Sequence, residues 1–144
     1  MKIVWVFFFF LISNTTQAQT TALKKGILKE GKYGFTLHWI SWKKRGIIQI
    51  VDNKNGKFQI KGQQKSDTGD DFIEIDGIIH QVSSTEMAFE GIIKNSVSYI
   101  NKGNMCERKG KYTFMAKPGK KYWRLKENKN CEGGMVVDYI DLYL

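Results

Sequence analysis

Two short runs of the chain mix aromatic rings with cations: Trp39 with Trp42, Lys43, Lys44 and Arg45, and Lys120, Lys121, Tyr122, Trp123 and Arg124. Aromatic faces stack on sugars and cations, and guanidinium groups pair with carboxylate or phosphate. Trp and Arg are also enriched where partners bind. Trp39 and Trp123 fall on the apolar phase of strand-like patterns and are expected in the core. Trp42 stands outside any alternation and is expected at the surface. The candidate ligand-binding set is therefore Trp42, Lys43, Lys44, Arg45, Lys121, Tyr122 and Arg124.

Bond-making chemistry finds little support. The chain has no Gly-x-Ser-x-Gly, no His-Glu-x-x-His and no glycine-rich phosphate loop. His38 lies on the polar phase of its segment and His80 closes another, so both are read as surface residues. Glu74 could meet Glu86 or Glu90 across strands, and two carboxylates at a suitable separation can hydrolyse glycosides. Strand register would decide that, and periodicity does not supply it. Asp67, Asp70 and Asp71 flank Gly69 in an oxygen-rich turn. Their spacing matches no calcium loop, and a solvated turn is the expectation. No catalytic residue, metal site or cofactor is assigned, and the chain is expected not to be an enzyme. Arg108 is singled out as a buried partner for Asp138 or Asp141.

The start of the chain points to export. Lys2 precedes an unbroken apolar run from Ile3 to Ile12, polar Ser13 to Thr16 follow, and Ala18 is a small residue at a cleavage point. That is the order of a secretory signal peptide. The run is shorter than the roughly 20 residues a membrane-spanning helix needs. Residues 1–18 are expected to be removed, which leaves one domain over residues 19–144 in the periplasm or the medium. The formal net charge of +9 favours anionic partners. Export sets nucleic acid aside and leaves anionic lipid, acidic glycan or acidic protein. Cys106 and Cys131 are the two cysteines of the chain. In an oxidising compartment they read as a disulfide. It would close a loop of about 26 residues, worth about 3.5 kcal/mol on chain-entropy grounds.

The rest of the sequence is strand after strand. Period-two alternation marks half-buried strands over 34–40, 47–51, 57–63, 72–79, 86–93, 111–116, 121–126 and 136–144, with a shorter one over 97–100. In the last of these, Val137, Tyr139 and Tyr143 share a phase. A short helix over 21–29 has no clear caps. Asp52 to Gly56 and Lys117-Pro118-Gly119-Lys120 are turn chemistry. Short connections favour antiparallel neighbours. Gly62, Gly77 and Gly91 sit inside strand patterns, each in phase with the apolar face. Glycine weakens a strand, so its presence there implies a bend or a close backbone approach. Bends in three successive strands curl a sheet toward closure. The expected fold is thus all-β, a small antiparallel meander forming a closed or partly closed barrel, with a two-sheet sandwich as the alternative. Segment length and the charges opposite the apolar face argue against a membrane barrel.

The C-terminal half carries Phe89-Glu90-Gly91, Cys106, Arg108, Gly110, Phe114, Lys121-Tyr122-Trp123-Arg124-Leu125, Cys131 and Asp138-Tyr139-Ile140-Asp141-Leu142-Tyr143. This resembles a group of small secreted bacterial proteins without an assigned function. The resemblance spans about residues 33–144. It supports the cysteine pair and the domain limits, and it transfers no functional residue. The chain is also loosely similar to lipocalins in strand content, but Gly31-Lys32-Tyr33 stands where they have Gly-x-Trp, and it ends on a strand pattern where they have a helix. Likeness of fold does not establish function. The expected role is a secreted or periplasmic binding module for an anionic or amphipathic ligand. The alternative is an envelope protein–protein interaction or inhibitor domain.

Overall fold

The period-two pattern becomes pleat in the computed structural model, which describes residues 27–144. The expected signal peptide and most of the expected short helix lie outside the described residues, and Ile27 to Lys29 are not helical. Eight strands follow one another: β1 (Gly31–Leu37), β2 (Gly46–Asp52), β3 (Phe58–Lys65), β4 (Phe72–Gln81), β5 (Glu86–Ser96), β6 (Cys106–Ala116), β7 (Trp123–Leu125) and β8 (Ile140–Tyr143). Each pairs antiparallel with the next, and β8 returns to β1 to close the barrel. Closure removes the free sheet edges a sandwich would leave.

Inward positions are filled by Phe35, Leu37, Ile48, Ile50, Ile60, Ile73, Ile75, Ile79, Met87, Phe89, Ile93, Phe114, Leu125, Ile140 and Leu142, all at 0–1% exposure. Leu28 packs into this core, and Ile27 N–H donates to Gln81 Oε1 at 2.7 Å, which ties the start of the described chain to the β4–β5 end. At the other end Trp39, Ile40, Val97, Ile100 and Val136 join the core. The lumen is thus a packed core, as small barrels allow.

The in-phase glycines lie where neighbouring backbone comes too close for a side chain. Gly77 and Gly91 are direct partners across β4 and β5, and Gly91 pairs in turn with Gly110 on β6. A Cβ at Gly91 would stand 2.2 Å from the Asp76 carbonyl oxygen and 2.6 Å from Gly77 Cα. These are backbone atoms and cannot swing away. The Phe89 ring fills the space the two glycines leave. Gly91→Ala is therefore expected to cost about 1–3 kcal/mol in urea unfolding, as overpacking does. Gly110→Ala should be close to neutral, because its nearest atom is the Tyr112 hydroxyl at 3.7 Å. Equal losses at the two positions would show that close backbone approach is not what selects glycine.

Some elements differ from the sequence pattern. Val97 to Ile100 is a turn leading into a 3₁₀ turn at Asn101–Gly103, because Val97 N-terminal to the turn already serves as a core plug. β7 is only three residues long, and residues 126–139 form a loop with one isolated bridge between Lys129 and Val137. β8 starts at Ile140, and its inward residues are Ile140 and Leu142. Tyr143 shares the opposite phase and faces outward. Among the described residues no helix is long and apolar enough to cross a membrane.

Candidate functional site

The candidate site begins with a loop positioned from inside the barrel. Gln64 on β3 is 2% exposed and points inward. Its Oε1 accepts from Leu37 N–H at 2.6 Å, and its Nε2 donates to the carbonyls of Ser41 at 2.8 Å and Lys44 at 2.9 Å. The Ser41 hydroxyl accepts from the N–H groups of Lys43 and Lys44 at 3.2 and 2.9 Å. A buried amide with its partners satisfied fixes geometry, so Gln64 ties this loop to the barrel interior. On it, Trp42 is 61% exposed, as the sequence suggested. The Lys43 ammonium sits 5.1 Å from the Trp42 ring centroid. Lys44 pairs with Asp67 at the surface, where such pairs contribute little.

Arg45 ends the loop and lies across Gly34, its guanidinium 3.6 Å from the Tyr143 ring centroid. The Tyr143 ring meets Tyr122 at 5.9 Å. Arg124 lies between Tyr122 and Tyr139, at 4.9 and 4.6 Å from their centroids. The two basic-aromatic runs therefore converge, and Tyr143 is where they meet. The outer wall carries the order Tyr139, Arg124, Tyr122, Tyr143, Arg45. Lys121 is exposed beside Tyr122 in the chain. Tyr139 and Tyr143 stand outside the sequence-derived set, because alternation shows that they share a phase with Val137 but not which way that phase faces.

Arg124 is held from beneath. Its Nε and Nη2 donate to the two oxygens of Asp141 at 2.7 and 2.8 Å, and His38 Nε2 lies 2.8 Å from Asp141 Oδ2. Asp141 has no exposure at all. Its hydrogen bond, set against partial burial, holds the Arg124 proton more firmly than usual. This bidentate pairing fixes the plane of the guanidinium between the tyrosines.

A neighbouring network anchors the 126–139 loop. Arg108 Nη2 donates to Asp138 Oδ2 at 2.8 Å, one of the two partners the sequence left open; the other, Asp141, is taken by Arg124. Asn130 Nδ2 and Trp39 Nε1 donate to Asp138 as well, at 3.0 and 3.1 Å to Oδ1. Trp39 is thus half-buried, with its indole N–H also bonded to the Val137 carbonyl at 3.0 Å. Burial raises the Asp138 carboxyl above its ordinary value, while Arg108, Asn130 and Trp39 pull it back. Cys106 and Cys131 are joined as a disulfide at the far side of the same loop.

The hydrolytic alternative is not assembled as drawn. Register places Lys94 opposite Glu74, with an ion pair at 3.0 Å, and sets Ile78 and Lys111 opposite Glu90. Glu86 lies opposite Met115. His80 lies on the outer wall in a concavity of about 490 Å³ with Lys57, Ala88 and Thr113. Among the described residues no three His, Cys, Asp or Glu side chains gather as metal ligands.

A family model described as the PM1083 family matches residues 15–144. A protein named "Uncharacterized protein PM1083" from Pasteurella multocida (strain Pm70) is 38% identical over 114 residues, covering 78% of this chain and 71% of that protein. No solved structure matches the chain.

Proposed function

The chain belongs to the PM1083 family, and we propose that it is an exported, non-enzymatic binding module that recognises an anionic partner on the outer wall of its barrel. The carrying observation is the convergence of Arg45, Tyr122 and Arg124 around Tyr143 over a lumen already filled by side chains. A packed interior leaves the wall as the place to bind. Arg45 is exposed and makes no ion pair among the described residues, so its charge is available to a ligand. The +9 net charge draws anions toward the surface. The disulfide supports an oxidising compartment.

Titration of the purified protein against anionic lipid vesicles, acidic glycans and acidic peptides tests this reading. Micromolar binding to at least one anionic probe is expected, weakening as salt is raised through the range where the Debye length falls from about 10 to about 3 Å. Failure to bind any of the probes, or binding indifferent to salt, overturns it.

A second reading is an envelope interaction domain. It is favoured by the exposed apolar side chains on the loops at one end: Met135 at 96%, Tyr99 at 62%, Trp42 at 61% and Tyr139 at 42%. Exposed apolar groups gathered in one region mark partner surfaces. Pull-down from an envelope extract should then recover a stoichiometric partner that Met135→Asp releases.

A further inference from the structure

The outward rows of β1–β4 form a broad concavity of about 830 Å³ next to the arginine–tyrosine stack. Two cross-strand rows floor it. One runs Ile47, Gln63, Glu74; the other runs Lys32, Gln49, Lys61, Asp76. Arg45 and Lys65 stand at its rim. Both carboxylates are already neutralised, Glu74 by Lys94 at 3.0 Å and Asp76 by Lys61 at 3.4 Å. Lys32, Arg45 and Lys65 are exposed and make no ion pair among the described residues. Ile47 is 60% exposed between the side-chain amides of Gln49 and Gln63. At interstrand spacing the floor is about 14 Å across, room for a few sugar units.

We infer that this concavity binds a linear carboxylated polysaccharide, a polyuronate, with Lys32, Arg45 and Lys65 meeting its carboxylates. The inference rests on the reading that the wall binds anions, and it names the ligand class. A glycan asks for three kinds of group together. Gln49 and Gln63 can both donate to and accept from hydroxyls. Ile47 offers apolar surface to the C–H face of a pyranose. The three cations, on β1, at the end of the loop before β2 and on β3, suit a repeating charge. A lipid surface asks for several apolar side chains that enter the acyl boundary, and here Ile47 stands alone among amides and cations.

The experiment is titration of the full mature chain with oligogalacturonate, its methyl-ester counterpart, phosphatidylglycerol vesicles and polyglutamate. Oligogalacturonate should bind and its ester should not. K32E/K65E should weaken binding about tenfold or more, given two reversed charges at a screened surface. K57E/K111E, on the His80 side of the wall, should change it less than about twofold. Circular dichroism checks that each variant folds, and K32Q/K65Q, which only neutralises, replaces the reversal if it does not. Binding of oligogalacturonate that K32E/K65E leaves intact and Tyr122→Ala abolishes overturns the groove and keeps the wall. Binding of vesicles or polyglutamate alone overturns the glycan class and likewise keeps the wall. No binding by any probe overturns both.

Discussion

Replacing Arg108 with methionine is expected to destabilise the folded chain by about 3–5 kcal/mol at neutral pH, because it strands the Asp138 carboxylate in the interior. Asp138 has no exposure, and Arg108 is the cation that bonds to it. The effect carries a pH signature. Burial already lifts the Asp138 carboxyl above its ordinary value of 3.8 in the folded chain. A group raised on folding contributes stability that is fully present below the ordinary value and is lost as pH rises through the folded one. Arg108 limits that lift, so its removal extends the loss to higher pH. The deficit of Arg108→Met against the parent should therefore be greatest at neutral pH and narrow as pH falls toward 3.8. Urea unfolding at about pH 7.5 and about pH 4.5 measures it. Adding Asp138→Asn should recover part of the loss, since it removes the stranded charge and keeps an acceptor for Asn130 and Trp39. An equal deficit at both pH values would mean that Arg108 acts through packing alone.

Cys106→Ser with Cys131→Ser is expected to cost about 3.5 kcal/mol, the closure entropy of its loop. The two residues are 25 positions apart, and the loop between them carries β7 with Arg124. Chemical denaturation of the double variant, beside the parent with and without reductant, gives the number. The Arg108 and cysteine losses should add to less than their sum, because both anchor one segment. A cysteine loss below about 1 kcal/mol would place the anchoring with Asp138 and Trp39 instead.

Much of the architecture could be read from alternation alone. The inward residues of β3, β4 and β5 stand where the period-two pattern put them, and the in-phase glycines announced the close backbone approach. Arg108 was legible as a buried partner for Asp138 or Asp141, because it stands two residues after Cys106 and both carboxylates interrupt an apolar segment; the fold chooses Asp138. Periodicity gives faces but not neighbours. The meeting of Arg45 with Tyr143, and of Lys32 with Gln49 and Lys61, depends on register between strands, which no local pattern contains. Ile140 and Leu142 lost to the tyrosines as inward candidates because both phases of that segment are apolar or aromatic. Gln64 was invisible for another reason: a polar residue in an apolar phase gives no hint that it bonds to a distant loop.

Neighbour-to-neighbour pairing has a kinetic corollary. Seven of the eight seams join strands adjacent in the sequence, and each can zip as soon as both have emerged. The β1–β8 seam is different. His38 and Asp141, which straddle it, are 103 residues apart, and distant ends meet late. Until β8 arrives, the chain is an open ribbon with two raw borders. A polypeptide threaded through a narrow channel from its first residue onward would remain pliable throughout the passage and lock only when its final strand is free.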